Sequence, residues 1–253
     1  MRRFAPLHNG QADEENPYWI SFSDIMAGFL VIFILVSLAL IYELTKIETN
    51  VSKAIKDLKL AEQARRDILH EVEVELKKKG IHVEISDNET VLRIPENILS
   101  FRQNQHQFPL DGQVAEKVLA IGRTLYTAII HENRWKHLDT IFVEGHTDPF
   151  ITKKYEGGNW ELSTRRAVFV WKYWEEHLSE GSRLSEIKNH GQNLLFSVSG
   201  YGGTRQLDRI KDETGIEFRQ RLRRIDIRIT VRKPEIEEYE DIVENISEKV
   251  GEN

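Results

Sequence analysis

The chain contains no cysteine. That excludes disulfide frameworks, thiolate zinc sites and cysteine nucleophiles, and it leaves a chain that tolerates either redox compartment. It also lacks an excess of positive charge, since 35 Lys and Arg stand against 41 Asp and Glu for a formal charge of −6. Nucleic-acid binders depend on neutralising phosphates, so no direct nucleic-acid binding is expected. A phosphate loop is missing as well: neither "EGGN" nor "GYGGT" leads into the lysine and hydroxyl residue such a loop needs. No nucleophile-and-base arrangement stands out, and His146 has no metal-ligand partners at a recognisable spacing. These absences point away from an enzyme and from any bound metal or cofactor.

What the chain does have is one long uncharged run. From Ile25 to Tyr42 there are 18 residues without a charge. As a helix they extend about 27 Å, close to the roughly 30 Å of bilayer hydrocarbon. The run is too long for a signal-peptide core and leads into a charged helical pattern, so it reads as a permanent transmembrane helix over residues 19–42. Tyr18 and Trp19 suit one interface and Tyr42 the other. At its edge, "SFSDIMAG" places a single carboxylate, Asp24. Ser21, Ser23 and Asp24 all cap helices well, so a helix beginning at Ile25 would make Asp24 a cap. If the helix instead begins near Tyr18, Asp24 lies one turn below the surface, where an acid costs on the order of 2.5–3.5 kcal/mol unless it meets a partner or a polar path. Ala27 and Gly28, at i+3 and i+4, give that face the small residues on which another helix packs closely. This suits an ion carrier between helices, with Ser21 and Ser23 as candidate oxygen ligands. Basic residues flank the span on both sides, so charge counting assigns no orientation.

Beyond the span, Leu44, Ile47, Val51, Ala54, Leu58 and Ala61 recur at alternating three and four residues, and Ile68 and Val72 resume after Arg65. This heptad seam predicts a helical stalk over 43–80, ended by Gly80, which either pairs with a second copy as a parallel coiled coil or lies on another surface. From Ile81 the period changes to two, and a globular α+β domain is expected over 81–232. Its expected elements are strands at 81–85 and "TVLRIP", a helix from about Gln113 to His131, the strand "TIFVEGH", a helix from about Asn159 to Leu178, the strand "LLFSVSGYG" and the strand "RIDIRITV". Strict alternation in the last strand predicts helices on one face of the sheet and a wetter opposite face. After Pro234, Ile236, Tyr239, Val243, Ile246 and Val250 predict an amphipathic helix in the acidic tail, 233–253.

"EGHTD" at 144–148, then Asn159, Leu162, Ser163, Arg166 and Ala167 in "NWELSTRRA", then "GYGGT" and "LRRIDIRI", together resemble the OmpA-like peptidoglycan-binding domain. The resemblance implies helices packed on a mixed β-sheet and a peptidoglycan site at Asp148, Asn159, Leu162 and Arg166. In it the Asp148 and Arg166 equivalents grip the ammonium and carboxylate of diaminopimelate, chemistry that suits an acid and a bidentate guanidinium. Two departures stand out: Leu222 occupies a position usually held by asparagine, and the loop "PFITKKYEGG" is long. The acid-bearing helix, stalk and wall domain together resemble the MotB-like B subunits of ion-driven rotary motors. Within that group "WISFSDIMAGFLVIFILV" looks more like the Zorya anti-phage defence subunits than the flagellar stators. The implied partners are a second copy, a ring of multi-span A subunits, peptidoglycan and cytoplasmic anti-phage effectors. The implied cargo is a proton or sodium ion carried by Asp24. The implied placement is a bacterial inner membrane, with residues 1–18 cytoplasmic and the C-terminal domain periplasmic. A flagellar stator subunit and a non-conducting wall anchor are the alternatives.

Overall fold

A computed structural model describes residues 17–110 and 112–234. The N-terminal segment through residue 16 and the expected tail helix from residue 235 lie outside the described residues. The chain divides into two compact units, Met1–Lys53 and Ala54–Asn253.

The described part of the first unit is the N-terminal part of α1 (Pro17–Lys78). Proline suits a first helical position, because its φ is already helical and its missing N–H would have had no acceptor there. The large apolar side chains of the run are exposed, Phe33 to 69% and Tyr42 to 72%. Among the described residues this is the one helix long and apolar enough to cross a membrane; its most apolar stretch has mean hydropathy 2.8 and none of it is buried.

The second unit begins with the C-terminal part of α1. Here Ile68, Leu69, Val72 and Leu76 are at most 1% exposed and join the core of the globular domain. The heptad seam is therefore divided: from Ala61 onward it is covered within the chain, whereas Leu44, Ile47, Val51 and Leu58 are exposed. Arg65, which interrupts the seam, has its own partners. It pairs with Glu62 and donates from Nε to the Glu89 carbonyl at 3.0 Å. α1 closes with Gly80 at φ +73° and with Ile81 N–H donating to the Leu76 carbonyl at 2.9 Å, a cap that favours glycine in the left-handed position. This closure explains why the first strand starts later than expected. Residues 81–83 follow directly on the helix cap, and only Glu84–Ser86 (β1) joins the sheet, although Ile81 and Val83 still pack in the core.

The remaining elements are β2 (Val91–Pro95), α2 (Glu96–Leu99), α3 (Gln113–Ile130), β3 (Leu138–His146), α4 (Gly158–His177), β4 (Phe196–Gly200), α5 (Gly215–Leu222) and β5 (Arg224–Val231). The sheet order is β1-β2-β5-β3-β4, antiparallel except for the β3–β4 pair. Register places Leu92 and Val143 on either side of Ile227, and Ile94 and Gly145 on either side of Ile225. Leu92, Ile94, Val143, Ile225 and Ile227 join the core with α3, α4 and the packed part of α1. Gly145 is required there: a Cβ would lie 2.0 Å from the Ser163 carbonyl of α4. Gly200 does the same on β4, where a Cβ would meet Thr164 Oγ1 at 2.3 Å. Both glycines of the "EGH" and "SGYGG" stretches thus let the start of α4 sit against the strand ends. α5 was not expected from periodicity, yet Thr214 and Glu217 form a complete capping box at its start.

The opposite sheet face differs from the wetter surface expected. Arg93, Glu144, His146, Arg224 and Asp226 are all less than 9% exposed. Alternation is real, but the polar row is closed by its own ion pairs and by the segment after β4. Arg93 and Arg224 both bond Asp226, at 3.2 and 2.9 Å, and Arg228 bonds Glu144 at 3.0 Å. Tyr201 stacks on His146 with ring centroids 5.4 Å apart, and Arg205 lies 3.6 Å over Tyr201.

Candidate functional site

A cleft of about 1380 Å³ opens in the second unit. Asp148, from the turn after β3, and Asn159, Leu162 and Arg166, from α4, all line it. Four residues distributed over nineteen positions of sequence are thus brought to one surface, by the same close approach of α4 to β3 that Gly145 permits.

Asp148 is held at both oxygens. Oδ1 accepts from the Phe150 N–H at 3.1 Å, and Oδ2 accepts from Arg223 Nη1 at 2.7 Å. Arg223 in turn makes a two-point contact with Glu96, Nε and Nη2 each at 2.6 Å. These hydrogen bonds, Glu96's foremost, push the Arg223 guanidinium further up from its ordinary range. Glu96, Arg223 and Asp148 form one chain of charge along the cleft, with the bidentate geometry that carboxylate and guanidinium favour.

Arg166 is 2% exposed and, among the described residues, contacts no carboxylate. Its Nε donates to the Gln105 carbonyl at 2.9 Å and Nη2 to the Arg102 carbonyl at 3.5 Å, while the guanidinium carbon sits 4.8 Å from the Phe101 ring centre. Burial pushes its pKa down to about 10; Glu96 and Asp148 oppose that shift through space and Arg223 adds to it. A buried cation satisfied only by neutral carbonyls remains unneutralised by contact, which is the state of a group ready to receive an anion.

Asn159 works differently. Its Nδ2 donates to the carbonyls of Asp148 and Phe150, each at 3.0 Å, and its Oδ1 accepts from the Thr152 N–H at 3.0 Å. The carboxamide is committed to shaping the loop that follows Asp148. Leu162, 4% exposed, supplies an apolar wall.

Residues 125–219 match the OmpA family. The chain carries an OmpA-family domain. Over 228 residues it is 24% identical to the Zorya protein ZorB of Escherichia coli strain Crooks, covering 86% of this chain and 89% of that protein. It is also 24% identical over 165 residues to the Zorya protein ZorB of Escherichia coli O139:H28, covering 63% of this chain and 62% of that protein. Among solved structures, a putative MotB-like protein from Desulfovibrio vulgaris superposes with a TM-score of 0.49 at 23% identity, covering 70% of this chain and 99% of that one.

Two charged side chains that the sequence did not single out are bonded to Asp148 or to its partner in the cleft. One is Arg223, the first arginine of "LRRIDIRI", which reaches across to Asp148. The other is Glu96, at the start of α2, separated from Arg223 by 127 positions. No local pattern marks a pair so far apart. The 102–105 turn, held by Arg166, was equally silent, because its contribution comes from backbone carbonyls. In the first unit, Ser21, Ser23 and Asp24 lie inside α1, which starts at Pro17, so Asp24 is within the helix and not at its cap. Ser21 precedes it by three positions and shares its face. Ala27 and Gly28 follow on that face, and among the described residues nothing lies within 4 Å of a Cβ placed on Gly28.

Proposed function

We propose that this chain is the wall-anchored subunit of an ion-driven membrane motor of the Zorya anti-phage type, with Asp24 carrying the ion and the OmpA-family domain holding peptidoglycan. The observation that carries this reading is the union, in one chain, of an exposed apolar run with a single acid at its edge and a domain whose cleft sets Asp148 beside a buried guanidinium that contacts no anion among the described residues. The identity to ZorB supports it, because 228 aligned residues exceed the OmpA match itself.

Asp24 alternates between its charged and neutral forms as it meets successive subunits of a surrounding multi-span ring. Burial between helices favours the neutral form, whereas an ion or hydrogen-bond donor favours the charged one, so a site between helices both loads and releases. Ser21, on the same face, offers an oxygen to a proton or sodium ion, and Ser23 is one position from the acid. The wall domain is periplasmic and the chain crosses the inner membrane once, with its N-terminus cytoplasmic. A second copy completes the axis, and cytoplasmic effectors receive the output. In the cleft, Arg166 takes a carboxylate of the wall peptide, and Asp148 takes its ammonium by sharing Oδ2 with Arg223.

One experiment with two arms tests this reading in cells carrying the full system. Asp24→Asn keeps side-chain size and removes the titratable charge; membrane assembly is expected to persist while ion flux and phage protection are lost. Asp148→Asn leaves Arg223 its two-point contact with Glu96, so the fold is expected to hold while co-sedimentation with sacculi falls by tenfold or more, equivalent to about 1.4 kcal/mol. Full protection in Asp24→Asn would leave a static anchor as the function. Unchanged sedimentation of Asp148→Asn would remove Asp148 from the wall site.

A further inference from the structure

The cleft's charges are unevenly committed. Glu96 and Asp148 are both bound to Arg223, and Glu213 is bound to Arg221 at 2.5 Å. On the side formed by the loop after α2, the hydrogen bonds of Arg166 among the described residues go only to carbonyls, and its neighbour there is a second arginine. Arg102 lines the same cleft, is exposed, and its guanidinium has no hydrogen bond or ion pair among the described residues. Its backbone, by contrast, is fixed. The Arg102 carbonyl accepts from both the Gln105 N–H, at 2.9 Å, and Arg166 Nη2, at 3.5 Å. The turn that carries it is tied down further: Tyr155 Oη donates to the Asn104 carbonyl at 3.3 Å and Lys154 Nζ to Gln105 Oε1 at 2.7 Å.

A side chain without a partner, on a backbone pinned to a buried cation, is a poor surface ornament and a good ligand group. Arginine presents planar paired donors that match a carboxylate, and little order is lost when its base is already held. We propose that Arg102 is a second anion-binding residue of this cleft, taking a peptide carboxylate other than the one held by Arg166. The inference rests on the wall-binding reading and sharpens its ligand: a peptide with two free carboxylates, one at the buried Arg166 and one at the rim. Amidation of the rim carboxylate removes the charge and replaces an acceptor oxygen by a donor NH₂ facing a donor-only guanidinium. Arg102 therefore discriminates between acid and amide forms of the stem peptide.

The test uses purified full-length protein in detergent and two synthetic stem peptides, identical except that the non-diaminopimelate carboxylate is free in one and amidated in the other, measured by calorimetry alongside sacculus co-sedimentation. The parent is expected to prefer the free acid by about tenfold or more, a difference of about 1.4 kcal/mol. Arg102→Gln is expected to abolish that preference by weakening the free acid alone, with the melting temperature unchanged, and Arg102→Lys to restore part of it. If the parent binds sacculi and both peptides but Arg102→Gln keeps the full preference, Arg102 has no such role and the wall reading stands. If the parent binds neither sacculi nor peptide, the wall reading itself fails and the inference falls with it.

Discussion

His146 shows what a single buried side chain contributes here. It is 1% exposed, and among the described residues neither ring nitrogen has a hydrogen bond; the nearest carboxylate oxygens, on Asp226 and Glu144, stand off at 3.5 and 3.8 Å. Burial pushes its pKa down, and Arg224 adds to that, although Glu144 and Asp226 pull the other way. The imidazole is therefore neutral in the fold, between Glu144, Asp226, Arg224 and the Tyr201 ring. In the unfolded chain it protonates near pH 6.5, so the unfolded state binds the extra proton first and stability is lost as pH falls through that region. The expected cost approaches about 1.4 kcal/mol per pH unit between the unfolded and folded values. Urea unfolding from pH 7.5 to pH 5.5, compared with His146→Gln, checks this: the parent's stability should decline relative to the variant's as acid is added. A constant difference would show that His146 does not titrate between the two states. Glu144 titrates lower. Burial opposes its ionisation, but the close approach of the His146 ring, the hydrogen bond from Arg228 and the charges of Arg228 and Arg205 keep its carboxyl below the usual range.

At the scale of the element, α1 changes its role along its length. Its packed segment contributes Ile68, Leu69, Val72 and Leu76 to the core. Leu76→Ala is expected to destabilise the globular domain by about 2–5 kcal/mol, the range for a large-to-small change at a buried site, while Leu44→Ala leaves its melting unchanged. Chemical denaturation of a fragment from residue 54 to 234 checks the first, and a fragment starting at residue 81 should not melt cooperatively. A cooperative transition in the shorter fragment would show that the helix is dispensable to the core. The heptad spacing in the sequence disclosed that this face is apolar. Spacing alone could not say whether a second copy or the chain's own sheet covers it, since both offer the same apolar environment. Long strands and helices were legible because period two and period 3.6 differ over many residues. Short elements were not: α2 has four residues, β1 has three, and α5 is signalled by its Thr214–Glu217 cap more than by its pattern.

For the whole molecule, the order of parts was legible in the sequence, because an uncharged run, a heptad seam and the "EGHTD" to "LRRIDIRI" series each occupy a separate stretch. Partnerships across distance were not, as Glu96 with Arg223 shows. The uncovered part of the seam, Leu44, Ile47, Val51 and Leu58, fits a second copy, and the absence of cysteine makes that directly measurable. Ile47→Cys in membranes is expected to form a disulfide-linked dimer on mild oxidation, whereas a cysteine at Glu48, one position round the helix, should cross-link far less. Equal cross-linking at both positions would mean collision without a seam. The burial of Ile68 to Leu76 also has a mechanical side. A tug on the domain through the N-terminal end of this segment is resisted by side chains seated in the core, so the domain can yield only by drawing them out together. Tension would then be borne without creep up to a threshold and released in one abrupt rupture, the behaviour of a latch and not of a spring.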